Sequence, residues 1–218
     1  MQHDFWLDRW QEGLIGFHQE RINDYLTRHF SRTNAQMGGT VLVTLCGKSL
    51  DMLWLHEQGF RVVGVELSPL AVEAFFSENK LQPTITSHGK FQRYDADNIT
   101  LLCGDFFELT IADIGDITAV YDRASLIALP LEMRPSYADH LTRLLPRGKK
   151  VLLITMEYPQ EQMQGPPFAV QESEIRELYA NNFEIEHLES IDILADNPRF
   201  KERGLSELTE RTYLLTRK

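Results

Sequence analysis

The residues best suited to hold a ligand begin with Gly47 and Glu66. Gly47 sits in the turn Leu45-Cys46-Gly47-Lys48-Ser49, and Glu66 closes the apolar run Arg61-Val-Val-Gly-Val-Glu66, 19 residues downstream. A glycine at the end of a strand lets a ligand approach the backbone, and a carboxylate about twenty residues further on can accept from both hydroxyls of a ribose. Taken alone, the pair is equally what an ordinary strand-to-helix turn would leave. The turn has one glycine where a dinucleotide fingerprint has three, which counts against a pyrophosphate lying on the helix N-terminus. A nucleoside without phosphate, such as S-adenosylmethionine, needs only the close approach and fits better.

Two further sites carry charge. Gly104-Asp105 follows the run Ile99-Thr-Leu-Leu-Cys103. There an acidic side chain can accept from an adenine amino group and the Phe106 amide can donate to a ring nitrogen, while a plain Gly-Asp turn is the competing reading. Asp122-Arg123 follows the run from Ile117 to Tyr121. Charges there are costly to bury unless they pair with each other or with a ligand, so the dipeptide reads as part of a site or as a surface ion pair. Trp6, Trp10 and Phe17 recur at helix-like spacing, which by itself favours core packing. Cys46 and Cys103, the two cysteines, each stand beside a glycine after an apolar run. That context predicts buried thiols, neither a disulfide nor a nucleophile, and no CxxC or HxxxH pair supports a metal site.

These positions need a sheet to present them. Apolar residues from Phe5 to Leu26 follow a mostly helical spacing broken by Gly13 and Gly16, which predicts an N-terminal helical cap over residues 1–38. Strands are predicted at 40–45, 61–66, 99–103, 117–121, 151–156, 185–191 and 209–216, with helices after Ser49, over 69–79 and near 136–145 and 173–180. Ser68-Pro69 is expected to open one of these helices with a hydroxyl cap. The polar stretch 82–97 reads as a long loop or an inserted hairpin. The alternation predicts a seven-stranded, mainly parallel α/β sheet with helices on both faces and an antiparallel pair at the C-terminal edge. Ligands of such sheets bind beyond the carboxyl ends of the strands.

With 218 residues and 43% hydrophobic content, one domain is expected over 1–218. The net charge of −10 argues against nucleic acid and anionic membranes as partners. The first residues lack a basic segment followed by an apolar core, and no run approaches the roughly 18 apolar residues of a membrane span, so a cytoplasmic protein is expected.

Several blocks together are more specific than any of these features. They are Phe5-Trp6-x-x-Arg9-Trp10-x-x-Gly13-x-x-Gly16-Phe17-His18-Gln19, Leu45-Cys46-Gly47-Lys48-Ser49-x-Asp51-Met52 and Gly64-Val65-Glu66-Leu67-Ser68. Later come Tyr121-Asp122-Arg123-Ala124, Tyr137-Ala138-Asp139, Gly165-Pro166-Pro167-Phe168 and Tyr213-Leu214-Leu215-Thr216. In this order, across nearly the whole chain, they closely resemble the thiopurine S-methyltransferase family. The resemblance implies a Rossmann-like class I methyltransferase fold, S-adenosylmethionine as methyl donor without a metal, and a small-molecule thiol as acceptor. It implies that the N-terminal segment folds over the cofactor, with Trp10 and Phe17 as pocket walls. Leu45 and Gly47 would meet the amino-acid part of the cofactor, Glu66 its ribose, and Asp105 with the Phe106 amide its adenine. Arg123 would lie between cofactor and acceptor, with Asp122 orienting it, and Arg199 is a candidate acceptor anchor. The surrounding Asp196-Asn197-Pro198-Arg199-Phe200 departs from the family pattern.

The reaction implied is in-line displacement by a thiol or thiolate at a sulfonium methyl, in which positioning can supply about 7–11 kcal/mol. Bacterial relatives are associated with selenium and tellurium compounds, which extends the implied acceptors beyond aromatic and heterocyclic thiols to those species. Family precedent and the polar composition imply a monomer. Two other readings compete: a non-catalytic sensor that kept the cofactor pocket, and a nicotinamide-dependent oxidoreductase, which the single-glycine turn disfavours.

Overall fold

A computed structural model describes residues 3–218, so the first two residues of the expected cap lie outside the described residues. The chain divides into two compact units, one ending at Tyr121 and the other running from Asp122 to Lys218.

The first unit opens with α1 (His3–Gln11) and α2 (Asp24–His29), within the helical spacing that the sequence shows broken at Gly13 and Gly16. Gly13 separates them: at a φ of +69° its amide donates to the Trp10 carbonyl, and the next amide, of Leu14, donates to the Arg9 carbonyl. Such a left-handed glycine closes a helix without the penalty a Cβ would incur. Asn23 then starts α2, its side chain accepting from the amides of Tyr25 and Leu26.

The sheet of this unit is built on β1 (Thr40–Val43), β2 (Arg61–Glu66), β5 (Ile99–Cys103) and β6 (Ile117–Arg123), parallel and in the order β5-β2-β1-β6. Val41, Leu42, Val63, Val65, Leu101 and Val120 are all buried, as expected of parallel strands covered on both faces. Burying each such side chain contributes about 1.5–3 kcal/mol. Between strands run α3 (Asp51–Glu57), which packs on β2, and α4 (Pro69–Glu78), which packs on β2 and β5.

One open alternative is decided, and the strand number and one helix cap differ from the sequence expectations. The stretch 82–97 is a hairpin, β3 (Thr84–His88) and β4 (Phe91–Ala96), added antiparallel to the free edge of β5. The described residues therefore form nine strands where seven were expected, with parallel strands at the centre of this unit and antiparallel pairing at its edge. Ser68 does not cap α4 with its hydroxyl; its amide donates to Glu66 instead.

The second unit contains α6 (Arg134–Leu144), β7 (Lys150–Glu157), α7 (Glu172–Tyr179), β8 (Phe183–Asp192), α8 (Pro198–Glu202) and β9 (Thr209–Arg217), after the short α5 (Ile111–Ile114) of the first unit. Its strands are antiparallel in the order β7-β9-β8, so the chain does finish on an antiparallel pair. Buried Arg134 ties this unit together, donating to the Leu129 and Ala169 carbonyls and to the Glu174 carboxylate. Among the described residues no helix is long and apolar enough to cross a membrane.

Candidate active site

The end of β1 turns sharply. Leu45 and Gly47 have φ of +42° and +53°. A leucine in the left-handed region costs about 1–3 kcal/mol, and such strain collects at ligand sites. Two hydrogen bonds over-determine the turn: the Cys46 amide donates to the Val65 carbonyl at 2.9 Å, and the Gly47 amide donates to Glu66 Oε2 at 2.9 Å. Glu66 Oε1 accepts from the Ser68 amide at 2.8 Å. One buried carboxylate thus joins the turns after β1 and β2. Burial pushes its pKa up, against the amides of Ser68, Gly47 and Leu67, which favour the charged form. Each carboxylate oxygen keeps acceptor capacity, so the pair of oxygens fits a vicinal diol such as a ribose.

Helix α1 lies over this turn. A Cβ built on Gly47 would stand 3.2 Å from the Trp10 ring, so both φ and space require glycine there. Phe17 packs edge-on to Trp10 and Trp6 at 5.5 and 5.6 Å between ring centroids. At the other end of α1, His3 Nε2 lies 3.1 Å from Asp105 Oδ2. The nine residues of α1 span about 13 Å, enough to cross from β1 over β2 to β5 at strand spacings of about 4.8 Å. The helix therefore bridges the turns after β1 and β5.

The turn after β5 is placed by the inserted hairpin. The Gly104 amide donates to the Glu66 carbonyl at 2.8 Å. A Cβ on Gly104 would stand 2.6 Å from the ring of Phe91, the first residue of β4. Asp105 Oδ1 accepts from the Phe107 amide at 2.9 Å and starts the 3-10 turn Phe106–Glu108, in which the Phe106 side chain is buried. Trp10, Phe17, Leu45, Gly47, Glu66, Asp105 and Phe106 thus all belong to the first unit, on the turns after β1, β2 and β5 and on the segment over them.

The cysteines serve packing here. A Cβ on Gly64 would stand 2.7 Å from Cys46 Sγ, so the missing side chain makes room for the sulfur. Burial and the neighbouring Glu66 carboxylate raise the Cys46 thiol well above its ordinary value and Cys103 to about 11. Cys103 is only half-buried, where both thiols were expected inside.

In the second unit Asp122 is wholly buried and its Oδ2 accepts from the Tyr137 hydroxyl at 2.7 Å. Burial lifts it to about 6, against Tyr137, Ser125 and the Leu126 amide, which favour the charged form. Successive strand residues point to opposite faces, so Asp122 and Arg123 project away from each other. Asp122 fixes the end of β6 through the Tyr137 hydroxyl. Arg199 is exposed on α8, its guanidinium 4.8 Å from the Phe200 ring centroid. Partial burial and the positive charges of Arg123 and Arg203 lower its pKa, so this unit brings the Arg123 and Arg199 cations into each other's field. Among the described residues no three His, Cys, Asp or Glu side chains converge as a metal cage.

The model of the thiopurine S-methyltransferase family matches residues 1–218. A thiopurine S-methyltransferase of Pseudomonas paraeruginosa is 54% identical over 217 residues, covering 100% of both chains. That of Nitrosospira multiformis is 52% identical over 215 residues, covering 99% of this chain and 98% of its own. The chain belongs to the thiopurine S-methyltransferase family. A solved S-adenosylmethionine-dependent methyltransferase from Anabaena variabilis, 16% identical, covers 99% of this chain and 95% of its own with a TM-score of 0.66, which shows the shared fold. In each unit of this thiopurine S-methyltransferase family member, residues that the sequence pattern did not assign brace the positions that it did. His3 meets the Asp105 carboxylate, Tyr137 holds Asp122, and Asp51 joins the turn after β1 to α2 and β6. Tyr137 and Asp51 lie in blocks that carried the resemblance, yet nothing local gave them a role.

Proposed function

We propose that the chain methylates the sulfur of small aromatic or heterocyclic thiols, with S-adenosylmethionine as donor. The observation that carries this reading is the buried Glu66 carboxylate, which spans two strand-end turns beneath Trp10 and beside a strained Leu45-Cys46-Gly47 backbone. When bound, S-adenosylmethionine supplies a sulfonium methyl that is already electrophilic. Glu66 accepts from the ribose hydroxyls, while Asp105 and the Phe106 amide take the two edges of the adenine. Leu45 and Gly47 present backbone to the amino-acid part, and Trp10 and Phe17 exclude water from the methyl. Arg123 and Arg199 favour the acceptor thiolate over the thiol, since two cations lower the pKa of an adjacent acid. Asp122 positions the end of β6 from within the core.

The test is transfer of radiolabelled methyl to 6-mercaptopurine by purified protein, run beside selenite and tellurite. Transfer to the thiopurine with saturable kinetics supports the reading. Cofactor binding with transfer to none of the three would leave a sensor.

A further inference from the structure

Asp51 opens α3 four residues after Gly47, and only 2% of it is exposed. Its Oδ1 accepts from the Asn23 amide at 2.8 Å and its Oδ2 from the Tyr121 hydroxyl at 2.8 Å. Its own amide donates to Ser49 Oγ at 3.2 Å, inside the Leu45-Cys46-Gly47-Lys48-Ser49 turn. Both oxygens accept here, so an amide of the same shape would keep the bond from Asn23 only by making the Tyr121 hydroxyl accept, and would lose the charge that strengthens both bonds. Placement in the first turn of α3 also suits its charge.

The partners make this more than core chemistry. Asn23 ends the segment that follows α1, and its side-chain amide donates back to Gln19 Oε1 at 3.2 Å. That segment carries Phe17, which packs on both Trp10 and Trp6. Tyr121 lies on β6, beside the end of β1 in register with Val43. A single residue therefore joins the base of the N-terminal segment and the neighbouring strand through its side chain, and the turn after β1 through its amide.

We propose that Asp51 is the positioning residue of the cofactor cover, its buried carboxylate fixing the segment that holds Phe17 against Trp10 to the turn that holds Gly47. Asp51 touches neither donor nor acceptor in this account; it acts through the cover. The inference rests on the reading that α1 and Phe17 lie over the cofactor.

The experiment is a double-mutant cycle on the full-length protein, with S-adenosylhomocysteine affinity measured by titration calorimetry. Asp51→Asn and Trp10→Ala are each expected to weaken binding about tenfold, and the double variant to fall well short of the product, because both act through the same cover. Independent losses that multiply would make Asp51 a merely structural residue and overturn the proposal. Unchanged affinity in Asp51→Asn beside a weakened Trp10→Ala would overturn it while leaving the cover in place. Unchanged affinity in Trp10→Ala would remove the cover itself and the proposal with it. If Asp51→Asn does not fold, Tyr121→Phe enters the same cycle, with a loss of about threefold expected and the same non-additivity required.

Discussion

Glu66 already accepts two amide hydrogen bonds within the protein, so its replacement removes a brace of the turn as well as the proposed ligand contact. Glu66→Ala is expected to weaken S-adenosylmethionine binding by about 1–3 kcal/mol through lost charge-assisted hydrogen bonds. Titration calorimetry reads this directly, and an unchanged affinity would remove Glu66 from the ribose site. The proposed reaction gives Arg123 a role toward the acceptor instead. Arg123→Ala is expected to lower kcat for a thiol acceptor at least tenfold, about 1.4 kcal/mol, while cofactor affinity shifts by less than half that energy; equal losses in the two would sink its acceptor-side role. Gly47 and Glu66 were legible in the sequence because a buried strand, a turn and a second buried strand fix where such residues must stand. The division of labour between Asp122 and Arg123 was not, because it depends on which face of β6 each occupies. Asp51 was visible as a letter only: its partners lie 28 and 70 residues away in the chain.

The inserted hairpin shows what an element can do from the edge of a sheet. Its β4 places the Phe91 ring where a Cβ on Gly104 would go, and so sets the turn that presents Asp105. Gly104→Ala is therefore expected to displace Phe91 and weaken cofactor binding by about 1–3 kcal/mol, the usual cost of overpacking. Adding Phe91→Leu should recover part of the loss by restoring room. If the second substitution makes binding worse, the hairpin is not what places the turn. The sequence left 82–97 open between loop and hairpin because β3 is exposed along most of its length and the buried positions of β4, Phe91, Tyr94 and Ala96, do not alternate strictly. The helical cap was foreseen as a spacing broken at Gly13, where a φ of +69° closes α1; that the chain takes until Asn23 to start α2 was not visible in the spacing. Most strands were found within two residues of their observed ends, since buried parallel strands leave continuous apolar runs.

For the molecule as a whole, the buried acid at Asp122 ties stability to pH. Its pKa rises from 3.8 to about 6 on folding, so between those values the folded protein keeps a proton that the unfolded chain has released. The stability this group allows is complete below pH 3.8 and is lost as pH rises to about 6, a difference of about 3 kcal/mol. Asp122→Asn abolishes that dependence and can still accept from Tyr137. Relative to the native protein it should gain about 3 kcal/mol between pH 4 and pH 7 in urea unfolding, whereas a pH-independent gap between the two proteins would show that Asp122 does not titrate there. The two thiols add a clock to the same scale. Cys46 fills the space that Gly64 vacates, so a bulky thiol reagent cannot attach while β1 and β2 stay closed. Half-buried Cys103 needs no such opening. Labelling of Cys103 therefore times the chemistry of a retarded thiol, and labelling of Cys46 times how often the turn after β1 breathes, without any probe being introduced.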